Sequence, residues 1–355
     1  MKYLFIVQGE GRGHITQAIT LSELLRRNGR EVVEVLIGKN KGREIPPFFF
    51  EKIGAPVVTF ETVSFVLKKD KKNIHIFKTV LYNSHPKRLK KYNDSITMIH
   101  KRVKKLDPDF IINFYEPLIG IASLKHNLKP PVISIGHQFL FRHPDFKFKN
   151  CNEKNILFFR LHTQLCLMGS SKTLALSFYD MEPCLSKHLV VVPPLIREEI
   201  KTLTPVHGNY ILGYLTSLGF EKEVREWHQK NSETELHFFQ DRKKPEHKVD
   251  KTLTLHAVDD VKFLKYMAEC SGFISTAGFE SVCEAMYLDK PIMLIPFHIE
   301  QEINALDAAS TGSSIVSKNF DINLLLDFMK RRAYNAEVFK EWVNSAEKIF
   351  LQHLT

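Results

Sequence analysis

This sequence has no long apolar run, no paired cysteines and, over its first 150 residues, few acids. A membrane-spanning helix needs roughly 18 or more consecutive apolar residues, and no stretch here offers them. The five cysteines (Cys151, Cys166, Cys184, Cys270 and Cys283) are odd in number, scattered, and never spaced Cys-x-x-Cys. That argues against a disulfide framework and against a zinc or redox centre, and fits a reducing, cytoplasmic setting. The opening apolar run Tyr3–Val7 is too short for a signal sequence and leads straight into a glycine turn, so it reads as a first strand. The acid deficit is local. Residues 1–150 hold 27 Lys and Arg against 13 Asp and Glu, whereas residues 151–355 hold 23 against 27. A basic first half suggests an anionic partner on that side: a membrane surface, a lipid phosphate or a nucleic acid. No nucleic-acid recognition module is visible, and none is expected as a partner.

What is present is enough for two α/β domains: 355 residues, 44% of them apolar. Lys2–Gln8 reads as a buried strand and Gly9-Glu10-Gly11-Arg12-Gly13-His14 as a turn. Ile15–Arg27 carries helical apolar spacing ended by Gly29, and Glu31–Ile37 is the second strand. A Rossmann dehydrogenase is disfavoured, because His14 stands where the third glycine belongs and no acid follows the second strand cleanly. Asp107-Pro108-Asp109 reads as a helix–strand boundary rather than a metal site, and no metal is expected. The strands Phe110–Phe114 and Val132–Ile135 end in Glu116 and His137, at the edge where open α/β sheets bind ligands. A helix over 156–168 and strands over 173–177 and 189–192 lead to Pro193-Pro194 and a boundary near residue 200. The alternation then restarts with strands over 210–215 and 236–239, followed by the segment 253–258 and a helix over 259–270. Further helices are expected over 320–330 and 336–351.

The second half centres on Ser275-Thr276-Ala277-Gly278-Phe279-Glu280-Ser281-Val282-Cys283-Glu284. It lies between the strand Gly272–Ile274 and the apolar run Lys290–Pro296. A hydroxyl from Ser275 or Thr276 is expected at the N-cap. A helix starting after a strand exit is an anion site, because its free N–H groups and its dipole both favour negative charge. Glu280 and Glu284 are four apart and share a face. Diphosphate on the amides and ribose on a carboxylate would suit a sugar nucleotide. Downstream, Glu300-Gln301 precede Asn304-Ala305.

These residues resemble the GT-B glycosyltransferases, the family 1 nucleotide-sugar transferases and the lipid II-forming N-acetylglucosaminyltransferases being most similar. The family 1 donor motif runs His-Cys-Gly-Trp-Asn-Ser-x-x-Glu, then Gly-x-Pro, then Asp-Gln-x-x-Asn-Ala. Here Thr276 stands in the His place, Gly278 matches Gly, Phe279 stands for Trp and Glu280 for Asn. Ser281 matches Ser, Glu284 matches the ribose Glu, Asp289-Lys290-Pro291 stands for Gly-x-Pro, and Glu300-Gln301 stands for Asp-Gln. Gly13-His14 matches the family's Gly-His pair.

The resemblance implies two Rossmann-like domains with parallel sheets facing a central cleft. Residues 1–200 would hold the acceptor, 201–335 the donor, and 336–355 would cross back to the first domain. His14 would act as base, its pKa lowered by the helix N-terminus, and Glu116 would orient it or touch the acceptor. Gly13 and His137 would face the acceptor. Thr216 and Ser217 would touch the diphosphate, and the segment of His256 and Val258 would read the base. The implied reaction is metal-independent, inverting transfer from a UDP-sugar. Aromatics such as Phe48–Phe50, Phe60 and Phe65 lie near basic runs at Lys68–Lys72, Lys87–Lys91 and Lys101–Lys105. A second such patch runs over Phe139–Lys149. The pattern suits a protein lying on the inner face of the plasma membrane, taking a lipid-linked acceptor. A sugar-nucleotide 2-epimerase of the same fold is the alternative, disfavoured because its motif has adjacent acids; a non-catalytic nucleotide- or lipid-binding protein is another.

Overall fold

The computed structural model describes residues 1–40, 44–66, 75–148, 153–215, 220–240 and 246–355. The expected contacts of Thr216 and Ser217, the basic run Lys68–Lys72, Lys149 and Cys151 lie outside them. Two seven-stranded sheets organise the chain. The first uses β1 (Lys2–Gln8), β2 (Glu31–Lys39), β3 (Val57–Glu61), β4 (Phe110–Phe114), β5 (Val132–Gly136), β6 (Ser170–Leu176) and β7 (Leu189–Val192). Its order is β3-β2-β1-β4-β5-β6-β7, parallel throughout. The second uses β8 (Tyr210–Tyr214), β9 (Glu235–Gln240), β10 (Glu246–Lys248), β11 (Leu253–Ala257), β12 (Gly272–Ser275), β13 (Ile292–Leu294) and β14 (Ser314–Val316). Its order is β10-β11-β9-β8-β12-β13-β14, with only β10 antiparallel. Strand order reverses beside β1 in one sheet and beside β8 in the other, the switch points where such sheets bind ligands.

The helices among the first seven strands are α1 (Arg12–Arg27), α2 (Pro47–Lys52), α3 (Ile76–Asn83), α4 (Pro86–Leu106), α5 (Pro117–His126) and α6 (Glu153–Leu167). The short α7 (Glu198–Thr202) links the halves. Then come α8 (Glu221–Lys230), α9 (Asp260–Glu269), α10 (Phe279–Tyr287), α11 (Ile299–Ser310), α12 (Ile322–Arg331), α13 (Ala336–Asn344) and α14 (Ala346–His353). Strands such as β1 and β4 are mostly Val, Ile, Leu and Phe because both faces of the sheet are covered there, whereas the edge strand β10 is polar and exposed. Leu4, Ile6 and Leu36 pack with Ile96, Ile99 and Leu118, while Tyr3, Phe5 and Val7 pack with α1 and belong to the continuous core that also takes in Phe339, Val343 and Phe350. On the second sheet Ile211, Phe238 and Met293 pack with Trp227, Ile322 and Phe328.

Several sequence expectations need correction. The single helix expected over 336–351 is two, broken at Ser345, whose hydroxyl donates to the Trp342 carbonyl at 2.6 Å. Both return to the first half. Trp342 Nε1 donates to the Ser177 carbonyl at 3.0 Å, and the Tyr3 hydroxyl donates to the Leu354 carbonyl at 2.6 Å. The expected apolar patch over 139–149 is largely core: Phe139 and Phe141 are buried, and Phe146 and Phe148 pack on Phe141. Phe49 and Phe60 are buried as well. Asp107 takes a left-handed C-cap and Asp109 accepts the Lys2 amide at 2.8 Å, which is the boundary role expected of that triplet.

Candidate active site

Helix α1 begins at Arg12, so His14 lies in its first turn rather than in the loop before it. The imidazole is buried and stacks on Tyr115, ring centres 5.5 Å apart. Its Nδ1–H donates to Gln17 Oε1 at 3.3 Å, and Gln138 Nε2 donates to its Nε2 at 3.4 Å. That pattern leaves Nε2 as the basic nitrogen. Burial, more than any helix terminus, holds the His14 pKa down at about 4, because an imidazolium would lose its hydration there.

Each amide at His14 continues to a carboxylate of the other half. Gln17 Nε2 donates to Glu280 Oε1 at 2.6 Å, and Gln138 Nε2 donates to Glu300 Oε1 at 2.8 Å. Burial pushes the Glu280 carboxyl up to about 8 and raises Glu300 too, Gln138 opposing the latter. Gly13 sits so close that an added Cβ would lie 3.4 Å from Glu280 Cγ. The basic nitrogen of α1 and the start of α10 thus share one joint between the two sheets' C-terminal edges.

Helix α10 does not use the expected hydroxyl cap. Gly278 is its N-cap, with no side-chain bond, and Ala277 before it is left-handed at φ 63°. The turn is held from α11. Asn304 Nδ2 donates to the Ala277 carbonyl at 3.1 Å, and Gln301 Nε2 donates to Thr276 Oγ1 at 3.4 Å. Ser281 Oγ donates to the Gly278 carbonyl at 3.2 Å. The first-turn amides of α10 therefore face the joint with no side chain capping them, the backbone geometry of an anion site. One turn on, Glu284 is bound by Arg197 from the linker, Nε and Nη2 both reaching Oε1 at 2.7 and 2.6 Å. Burial nonetheless raises the Glu284 pKa.

His137 and Phe279 meet across the same joint as stacked rings 4.0 Å apart. His137 Nδ1–H donates to the Leu176 carbonyl at 2.7 Å, and its Nε2 lies 3.7 Å from Asp307 Oδ2. Burial lowers His137 to about 3 and raises Asp307 to about 6.

Glu116 does not orient His14. It caps α5, accepting the Leu118 amide at 3.1 Å and the Thr62 hydroxyl at 2.5 Å, and burial pushes its pKa up to about 8. His256 sits in a ring cluster with His237, Phe239 and Tyr266, its Nε2 2.9 Å from His237 Nδ1. Val258 follows β11, half-buried. The site residues that sequence reasoning missed are Gln17, Gln138, Arg197 and Asp307. The first sits one helical turn after His14 and was findable by that spacing; the others join the site only through the fold.

The family model for glycosyl transferase family 1 matches residues 1–332. The chain belongs to this family. It is a glycosyltransferase, and solved glycosyltransferases share its GT-B fold over nearly its whole length. Phytolacca americana UGT2, complexed with UDP-2fluoro-glucose and pterostilbene, superposes with a TM-score of 0.65 at 13% identity, covering 99% of this chain and 98% of that one. Medicago truncatula UGT71G1, complexed with UDP-glucose, gives 0.63 at 13% identity over 97% and 93%. The calicheamicin glycosyltransferase CalG4 gives 0.60 at 13% identity over 99% and 97%. No curated protein sequence matches the chain. Among the described residues, no helix of this glycosyltransferase is long and apolar enough to cross a membrane.

Proposed function

We propose that this glycosyltransferase moves a sugar from a UDP-sugar to a hydroxyl acceptor, with inversion and without a metal ion. The observation that carries the reading is the pairing of His14 Nε2, on one half, with the uncapped start of α10 on the other. The acceptor hydroxyl gives its proton to Nε2 as its oxygen bonds to the anomeric carbon. The carbon–oxygen bond to the diphosphate breaks on the opposite face, which inverts the centre. The leaving diphosphate takes the electron pair, and its new charge falls on the α10 amides, where fixed donors stabilise it without reorganising. Burial keeps His14 neutral at physiological pH and so able to accept the proton. Support for the donor is that two glycosyltransferases of this fold hold UDP-sugar ligands.

In this conformation the donor-side acids are bonded to groups of the first half and the linker. Donor binding therefore exchanges partners: Glu284 gives up Arg197 for ribose hydroxyls, and Glu280 gives up Gln17. The acceptor we take to be lipid-linked, presented at an anionic membrane surface.

The test is a melting-temperature panel of UDP, other nucleoside diphosphates and their sugar conjugates, on the wild type and Glu284→Gln. A ligand at a hundredfold excess over its Kd adds about 2.7 kcal/mol to the folded state. A rise with UDP or a UDP-sugar, much reduced in Glu284→Gln, is expected. No rise with any nucleotide in a folded sample would sink the donor assignment.

A further inference from the structure

Helix α3 is built inside out. Its inward face is polar: Thr79 is buried and accepts the Val66 amide at 2.9 Å, while Asn83 Nδ2 donates to the Ser64 carbonyl at 2.8 Å. Its outward face is apolar. Phe77 is 73% exposed, Leu81 64% and Val80 52%, at spacings that place them on one side, and Leu89 at the start of α4 is 52% exposed. A folded monomer gains nothing by showing four large apolar side chains to water in one patch, so such a patch marks an interaction site.

The charge around the patch is of one sign. Lys78 lies on α3 and Lys87 and Lys90 on the first turns of α4, all exposed and without a carboxylate partner among the described residues. Arg88 and Lys91 are engaged with Glu61, and the first acid of α4 is Asp94. The patch is also tied to the turn that enters α1. Ser64, which Asn83 holds, donates its hydroxyl to Glu10 Oε1 at 2.9 Å, and Glu10 lies in the turn that enters α1 two residues before Arg12.

We propose that α3 and the start of α4 form a docking surface for an anionic lipid membrane. Phe77, Val80 and Leu81 enter the interface, and Lys78, Lys87 and Lys90 lie over the headgroups. The lysine ring favours an anionic partner, and the apolar centre favours a lipid surface over a nucleic acid, whose phosphates offer nothing for Phe77 or Leu81 to enter. The bonds from Asn83 through Ser64 to Glu10 set the surface near the turn that enters α1, so a lipid-borne acceptor would arrive on the side of the base. In that respect the proposal rests on the transfer reading; the docking itself does not.

The experiment is co-sedimentation of the full chain with vesicles of phosphatidylcholine alone and of phosphatidylcholine mixed with phosphatidylglycerol. It is run with the wild type, with Phe77→Glu/Leu81→Glu and with Lys87→Ala/Lys90→Ala. Binding to the mixed vesicles only is expected. The Glu pair should lose it by more than tenfold, and each lysine removed should weaken it about fivefold. Unchanged melting of the variants checks that they fold, since all four side chains are exposed. Transfer to a water-soluble acceptor is measured in parallel. If transfer persists while no protein sediments with anionic vesicles, docking is wrong and the transfer reading stands. If vesicles are bound but nothing is transferred, the reverse holds. Equal binding by the Glu variant, binding to duplex DNA in place of vesicles, or a dimer that the Glu pair dissolves, would each overturn the membrane assignment.

Discussion

Helices α1 and α10 are the same device used twice. Each follows a strand at a sheet's C-terminal edge, each has a glycine N-cap without a side-chain bond, and the two touch. What differs is the company. The start of α1 offers an imidazole and the Gln17 amide but no acid, whereas α10 carries Glu280 in its first turn and Glu284 behind it. A neutral base on one helix start and acids on the other suit opposite tasks, taking a proton and holding a polyhydroxylated diphosphate ligand. Function here lies in the residues that follow the cap, since the backbones are alike.

The sharpest way to break this likeness is at the base. We expect His14→Ala to lower kcat by about 10²- to 10⁴-fold while leaving the melting shift with UDP intact, because the proposed donor site is at α10. Loss of both together would place His14 in donor binding instead. Next is the ion pair behind α10. Arg197→Ala leaves Glu284 buried without its cation, and breaking such a pair by one partner costs about 3–5 kcal/mol. Adding Glu284→Gln should restore most of that stability, and a double variant as unstable as Arg197→Ala alone would count against the pair.

The acids and the base should also differ in how they respond to pH. Glu280 and Glu116 are raised from 4.5 to about 8, so the folded chain holds protons that the unfolded chain has lost, and their contribution to stability falls as pH rises between these values. His14 and His137 are lowered from 6.5 to about 4 and about 3, which makes stability rise with pH up to about 6.5. Of these four groups, only the carboxylates act from about pH 6.5 to 8, and each should make stability fall with a slope of up to about 1.4 kcal/mol per pH unit. Glu280→Gln should flatten it, and an unchanged slope would refute the assignment.

The two glycine turns themselves should part last. Gly9 has no room, since a Cβ there would run into the Gly38 carbonyl, whereas at Gly278 the nearest atom is Ser281 Oγ at 3.7 Å and φ is an ordinary −68°. Gly9→Ala is expected to cost about 1–3 kcal/mol of thermal stability. Gly278→Ala should cost under about 0.5 kcal/mol while still weakening the shift with UDP, since its methyl enters the space at the helix start.

Much of this was legible in the chain. Strand–helix alternation and the two runs around His14 and Gly278 fixed the GT-B reading, because buried parallel strands and glycine turns leave local marks. Glu280 and Glu284 were visible through their spacing. Gln138 and Arg197 were not, since an amide after a strand and an arginine in a linker acquire meaning only when the second half packs on the first. Glu116 misled for the opposite reason: an acid before proline at a helix start is a cap signal, and the local role is the one it fills. The aromatic runs misled because composition cannot tell a core phenylalanine such as Phe49 from an exposed one such as Phe77.

The bond from Tyr3 to Leu354 also sets an order in time. The first strand's hydroxyl waits for a carbonyl 351 residues later, and Arg30 and Lys172 likewise bond to carbonyls at Leu354 and His353. During synthesis the first sheet can form early, yet one of its flanks stays uncovered until the entire second sheet has been made. The nascent first half therefore spends the interval with Tyr3 lacking its Leu354 partner and β7 lacking the α14 helix that later packs on it, and it is then that the chain is most open to chaperones and proteases.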